Sequence, residues 1–336
     1  MSVIYKKMNK KILITGANGF LGSSIVKLAL KKNFKVNVFV RNDTNLKNLD
    51  RVKSKINFFY GDLTDSNSLD QPIKNSDFVF HVAADYRLWA KNPRQLYDSN
   101  VRGTENVCLK VLKYKKKLIY TSSVATLGIE SEKISNEDSK VHFSDMIGDY
   151  KKSKYLAEKI VMRLIKKKGL ECIIVNPSTP IGPGDIKPTP TGKIIYDMLK
   201  NKMPAYVDTG LNIVHVDDVA EGHFLALKYG KVGEKYILGG ENLNFKDFLD
   251  NISELIDKPK VKIKLNPTYL IPIAYLNEFF STFFINNTPT LTVDGLKMST
   301  KKMFFTSDKA KKKLLYRPGS AKNAIKDSVE WFRKFK

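Results

Sequence analysis

A short β-branched run, Lys11-Ile-Leu-Ile-Thr15, ends at once in a glycine-rich turn carrying Gly16, Gly19 and Gly22, and a helical period begins at Phe20. Few folds join a strand to a helix through so tight a connection. Gly16 permits the turn, Gly19 lets backbone approach a pyrophosphate, and Gly22 allows close helix–strand packing. The helix N-terminus behind them offers amide donors and the positive end of its dipole to phosphate. The spacing is GxxGxxG and not GxGxxG, so the alternative is a glycine-rich turn without a ligand. A strand before and a helix after favour the phosphate reading.

The rest of the first half repeats the alternation. Apolar runs at Lys35–Val40, Ile56–Tyr60, 77–82, Lys117–Thr121 and 170–176 are separated by helical patterns at 66–74, 93–114 and Gly148–Lys168. This order predicts an α/β chain with a Rossmann-like, doubly wound parallel sheet. After Asn176 the texture changes. Five prolines and three glycines between 177 and 192 predict a long functional loop. Short strands (212–216, 234–238) and helices (217–229, Phe245–Ile256, 321–336) follow. The expected division is a dinucleotide-binding domain over 8–176 and a smaller C-terminal substrate lobe over 177–336, with segments returning to the first domain.

Composition narrows the class. With 336 residues, 42% of them hydrophobic, the chain can bury a full core without staples. Cys108 and Cys172 stand alone, which excludes a disulfide scaffold and a zinc-thiolate site; no metal is expected. The greasiest stretch, 269–284, is broken by Pro272, Asn277 and Glu278, so no membrane span is expected. Residues 1–11 are basic but lack an apolar signal core, and a cytoplasmic location is expected. The net charge of +24 comes from 58 basic against 34 acidic residues. The lysines are spread in short runs without interleaved aromatics, so we read solvated faces and expect no nucleic-acid partner. Weak attraction to an anionic surface is the alternative.

The second strand runs into Arg41, with Asn42 and Asp43 behind it. An acid near this position would hold a ribose 2′-hydroxyl, whereas an arginine accommodates a 2′-phosphate. Arg41 therefore favours NADP, with NAD as the alternative; a plain surface charge is the bland reading. Tyr150-Lys-Lys-Ser-Lys154 puts a tyrosine and a lysine four apart on one helix face. An ammonium beside a phenol favours the phenolate and suits it to proton transfer. Upstream, Thr121-Ser-Ser123 ends a strand, where a hydroxyl can point over the carboxyl edge of the sheet.

Together with Gly61-Asp-Leu63, His81-Val-Ala-Ala84, Asn100-Val-Arg-Gly-Thr104, Asn176-Pro-Ser178 and His215-Val-Asp-Asp-Val-Ala220, these pieces resemble the extended short-chain dehydrogenases/reductases, the NAD-dependent epimerase/dehydratase family. The segments 83–90, 177–190 and 292–305 are similar to the hopanoid-associated sugar epimerase and dihydroflavonol-4-reductase-like subgroup. The resemblance implies that Gly16, Gly19, Phe20 and Leu21 hold the pyrophosphate, Asp62 and Leu63 the adenine, and Ala83 the ribose side. It makes Tyr150 the general acid/base and has Lys154 lower its pKa while holding the nicotinamide ribose. Ser123 hydrogen-bonds the reacting oxygen, and Pro177 and Ser178 border the nicotinamide. Asn100 resembles the asparagine that supports the active-site lysine. Tyr86 and Arg87 are candidates to face substrate, or surface-loop residues.

The implied activity is hydride transfer at a hydroxyl or ketone carbon of a small sugar-like or isoprenoid-like molecule, a hopanoid-related one among the options, in an oxidoreductase or epimerase. A ketone reductase using NADPH and a non-catalytic NADP-sensing protein are the alternatives, and a homodimer is compatible with either. A sugar dehydratase is disfavoured, because Val124 and Ala125 stand where that branch carries an Asp-Glu pair. His81 is expected to pack beside the cofactor loop, Asp217 and Asp218 to cap a helix, and Trp89 and Trp331 to be packing residues. The substrate wall is expected from Thr179, Thr189, Thr191 and Tyr196 with Ile181, Ile186, Ile194 and Ile195.

Overall fold

The computed structural model describes residues 10–130, 133–281, 289 and 291–334. Residues 1–9, 282–284 and 335–336, on which parts of the basic N-terminal stretch, the apolar stretch, the expected first domain and the expected last helix fall, lie outside them.

Strands β1 (Lys11–Thr15), β2 (Lys35–Val40), β3 (Ile56–Tyr60), β4 (Phe78–His81), β5 (Lys117–Thr121) and β6 (Cys172–Pro177) form a parallel sheet. It continues at its far edge into β10 (Lys235–Leu238), also parallel, giving the order β10-β6-β5-β4-β1-β2-β3. The strand order reverses at β1, between β2 and β4. That is the switch point at which a doubly wound sheet opens a crevice beyond its carboxyl ends.

Alternation along β1 shows why both faces are covered. Ile12 and Ile14 enter one core with α1 (Phe20–Lys31), α7 (Val216–Tyr229) and α11 (Asp308–Leu314). Leu13 points the other way, into a core with α2 (Asp70–Lys74), α4 (Gly103–Lys113) and α5 (Gly148–Lys168). The period of two along a strand dictates this division. The lysine runs close α5 and α11, in whose last turns Lys166–Lys168 and Lys311–Lys313 sit, where a helix dipole favours cations.

The remaining elements build a cap over the carboxyl edge. Strands β7 (Thr179–Ile181), β9 (Gly210–His215) and β11 (Glu241–Asn244) form a small sheet, and β8 (Ala205–Val207) pairs with β12 (Ile263–Leu265). Helices α6 (Pro190–Leu199), α8 (Phe245–Ile256) and α12 (Ala321–Arg333) pack on the small sheet around Ile195, Ile213, Phe248 and Ile325. The expected loop over 177–192 is therefore shorter than its prolines suggested. β7 occupies part of it, and α6 starts at Pro190, where proline suits the first helical position.

The long helical pattern over 93–114 also differs. It is α3 (Pro93–Tyr97), a π-helical turn over Asp98–Arg102, then α4. The extra residue in that turn aims Asn100 inward. Two more helices, α9 (Pro267–Phe280) and α10 (Val293–Ser299), pack on each other at the rim.

Candidate active site

One cleft of about 1400 Å³ runs along the carboxyl ends of the strands and under the cap. Every residue singled out from the sequence for cofactor or catalysis lines it: Gly16, Gly19, Phe20, Leu21, Arg41, Asp62, Leu63, Ala83, Ser123, Tyr150, Lys154, Pro177 and Ser178.

At the glycine end, Gly16 has φ +67°, and a Cβ there would lie 2.6 Å from the Ala83 Cα. Only glycine satisfies both the left-handed backbone and the close approach. Gly22 is required for a different reason than expected: a Cβ would sit 2.0 Å from the Gly16 carbonyl oxygen, so the contact lies within the loop itself. The N-cap of α1, Gly19, contributes no side chain to cap the helix, and its first turn holds no acid. The leading amides are thus left for an anion. Beneath the loop, Thr15 Oγ1 accepts from the Val82 and Ala83 amides and pairs with His81 Nδ1 at 2.8 Å. Burial and the Lys154 charge lower the His81 pKa to about 3, so His81 is a neutral structural post beside the loop.

Arg41 is exposed where β2 ends. Asp62 faces it across the cleft end. Burial alone would raise the Asp62 carboxyl, but hydrogen bonds from the Thr64 side chain and amide and the Arg41 charge outweigh it, and its pKa is lowered. This end is a cationic rim over a polar floor.

At mid-cleft, Ser123 is brought to Tyr150 by the end of β5 and the start of α5. Burial raises the Tyr150 pKa, and a hydrogen bond with the Ser123 side chain opposes it. Lys154 is not what counters burial there. Its ammonium donates to the Thr121 carbonyl at 2.9 Å and to the Tyr120 hydroxyl at 3.3 Å, and lies over the Tyr120 ring. Burial lowers Lys154 to about 8, against the pull of Glu158. Asn100 works on the loop after β4. It clamps the Asp85 backbone, accepting from its amide at 2.7 Å and donating to its carbonyl at 2.8 Å, and donates to Ser153 Oγ at 3.0 Å. It fixes the loop after β4 to α5 through Ser153, the residue before Lys154.

Two functional positions escaped the sequence reading. Glu158, 5% exposed, accepts from Ser122, Thr126 and Asn176 and pairs with Lys235. Its spacing, four beyond Lys154 and eight beyond Tyr150, would have marked it as sharing their face. Lys151, 8% exposed, also lines the cleft, and burial followed by the Lys301 charge lowers it to about 8. A lysine beside Lys152 and Lys154 in sequence gave no sign of burial.

The cap side divides the expected wall. Thr179, Thr189, Thr191, Ile186 and Ile194 line the cleft. Ile181 and Ile195 are buried in the cap core, and Tyr196 packs against Phe332, so these three face away. Thr189 caps α6 and bonds Asp185, whose burial raises its carboxyl to about 6. Leu211, Phe245, Met298 and Met303 complete the wall. Tyr86 and Arg87 also face the cleft, Arg87 donating from Nε to Asp85 Oδ1 and from Nη2 to Asp85 Oδ2. The cap of α7 is His215, which accepts from the Asp217 amide; Asp217 takes Ser24, and Asp218 takes the Gly319 amide.

The family model for NAD dependent epimerases/dehydratases matches residues 12–239. The chain belongs to that family. It is 38% identical to a putative dihydroflavonol 4-reductase of Synechocystis over 95% of this chain and 94% of the relative. It is 29% identical to sterol demethylase protein B of Methylococcus capsulatus, over 96% of this chain and 98% of the relative. Among solved structures, gox2253 superposes with a TM-score of 0.86 at 46% identity, over 97% and 98% of the two chains. As a member of the NAD dependent epimerase/dehydratase family, this chain is an NAD(P)-dependent enzyme of the oxidoreductase/epimerase type. The glycine cradle, the uncapped α1 N-terminus and the size of the cleft fit a dinucleotide. Among the described residues no helix is long and apolar enough to cross a membrane.

Proposed function

We propose that this enzyme is an NADP-preferring reductase of a ketone on a largely apolar, sparsely oxygenated small molecule, run in the opposite direction as an alcohol dehydrogenase. The observation that carries the reading is the Tyr150–Ser123 pair, standing between the glycine cradle and a wall of Ile186, Ile194, Leu211, Phe245, Met298 and Met303. Such a wall rewards burial of an apolar body at about 25 cal/mol per Å². The threonines beside it suit one oxygenated end. The names of the two relatives, a putative dihydroflavonol 4-reductase and sterol demethylase protein B, support a ring-bearing substrate.

In this reading, Gly16, Gly19, Pro177 and Ser178 would hold a dinucleotide along the cleft, and its nicotinamide would supply the hydride chemistry. Tyr150, kept protonated by burial, donates its phenolic proton to the carbonyl oxygen, and Ser123 donates a second hydrogen bond to that oxygen. Lys154 donates to the Thr121 carbonyl at the end of β5 and would hold the cofactor ribose. Cap residues exclude water from the apolar wall.

A panel of cyclic ketones with NADPH, run beside UDP-sugars, tests the reading. Net NADPH oxidation with an apolar ketone is expected; interconversion of a UDP-sugar without net NADPH loss would establish an epimerase instead. For the cofactor, Arg41→Ser is expected to weaken NADPH binding by about tenfold, one charge-assisted hydrogen bond's worth, with NADH binding unchanged. Arg41→Asp is expected to reverse or flatten the preference. Wild-type protein that binds NADH as tightly as NADPH in a fluorescence titration would refute the assignment.

A further inference from the structure

Helix α9 turns an apolar face to solvent. Leu270, Ile271 and Ala274 pack on Val293 and Leu296 of α10, but Tyr269, Ile273, Tyr275, Leu276 and Phe279 are between 52% and 78% exposed. Pro272, Tyr275, Leu276 and Phe279 border a shallow groove with Trp89. A contiguous aromatic and aliphatic patch of this kind marks an interaction surface. Its only acid, Glu278, accepts the Val293 amide.

The charge around the patch selects the partner. Between residues 258 and 302 the sequence holds seven lysines against Glu278 and Asp294, a net of +5 (7 − 2). Asp208 engages Lys264 and Lys302, and Lys260 meets Asp250 and Glu254. Lys262 and Lys297 are exposed with no acidic partner among the described residues. An aromatic helix flanked by unneutralised lysines matches the acyl boundary and headgroups of an anionic bilayer. At 14 residues α9 is too short to span a membrane, and so would lie in its plane. A second copy is a poorer fit, because a two-fold contact sets each lysine cluster near its own image on chains of net charge +24.

We propose that α9, with Trp89 beside it, docks this enzyme on anionic lipid bilayers. The neighbouring helix α10 lines the cleft through Gly295, Met298 and Ser299, and Tyr86–Leu88 lead into Trp89. Docking therefore brings the cap end of the cleft toward the lipid. The inference stands apart from the identity of the reaction.

Flotation of the full chain with phosphatidylcholine vesicles, with and without phosphatidylglycerol, tests it. Co-flotation with the phosphatidylglycerol vesicles, falling as salt rises, is expected. The Leu276→Glu, Phe279→Glu double variant should lose at least about tenfold in partitioning while keeping NADPH affinity, which reports its fold. Lys262→Glu combined with Lys297→Glu, which leaves the apolar face intact, should lower binding to the anionic vesicles alone. Equal behaviour on the two vesicle types, or flotation with neither, overturns the proposal. So does light scattering that finds a wild-type dimer and a monomeric double variant, since α9 would then be an interface between copies.

Discussion

Tyr150→Phe is expected to leave NADPH affinity unchanged and to lower turnover by about 10²–10⁴-fold, the usual range for removing a positioned proton-transfer group. The phenol is partly buried, and only its hydroxyl distinguishes it from the replacement. Burial holds its pKa above the ordinary tyrosine value against the Ser123 hydrogen bond, so at neutral pH it carries its proton. The sign follows directly. A protonated phenol is ready to donate in ketone reduction, whereas alcohol oxidation needs it deprotonated. Oxidation turnover should therefore climb with pH on the alkaline side while reduction does not. The variant's residual activity should lose that alkaline rise. Stopped-flow traces of NADPH absorbance over a pH series separate the two directions. Turnover retained within a few-fold in Tyr150→Phe would remove it as the acid/base.

The extent to which such a site could be read before folding depended on whether a residue's task is local. Helix α5 was legible end to end, because Gly148 and Gly169 both adopt positive φ at its limits and its apolar face repeats between them. The β1 turn was legible for the same reason: Gly16 answers a local backbone demand, although the partner that also forbids a side chain, Ala83, is 67 positions away. Residues whose task is set by distant partners were not. Lys151 looked like one of a solvated run until folding buried it in the cleft wall within reach of the Lys301 charge. Asn100 looked like a helix asparagine, and only the π-helical turn reveals that it clamps Asp85. Arg41 needed no such closure, since a strand end fixes its place by sequence alone. Prolines misled in the stretch after Asn176, where β7 forms because β9 is available to pair with it, a fact absent from the local pattern.

Glu158 gives the second large effect, and it concerns stability as much as catalysis. Its carboxylate is enclosed by α5, β5, β6 and β10: it accepts from Ser122 Oγ at 2.5 Å, Thr126 Oγ1 at 2.8 Å and Asn176 Nδ2 at 3.1 Å, and pairs with Lys235. Asn176 also donates to the Ser123 carbonyl at 3.0 Å, so the network reaches the backbone of the residue that bonds Tyr150. Glu158→Leu is expected to cost about 3–5 kcal/mol in urea unfolding, because it strands an ammonium and three polar groups around an apolar side chain. Lys235→Met should cost less, since the carboxylate keeps its three neutral donors. The double variant should fall short of the sum of the two by more than about 1 kcal/mol, as removing both charges spares the penalty of leaving either one alone. In the folded Glu158→Leu protein turnover should drop more than NADPH affinity, with Glu158→Gln recovering much of it, because an amide can still order Ser122 and Asn176. Strict additivity in the double variant would mean that Lys235 and Glu158 stabilise the fold independently. A Glu158→Leu protein as stable and as active as wild type would show that Ser123 is positioned without this network.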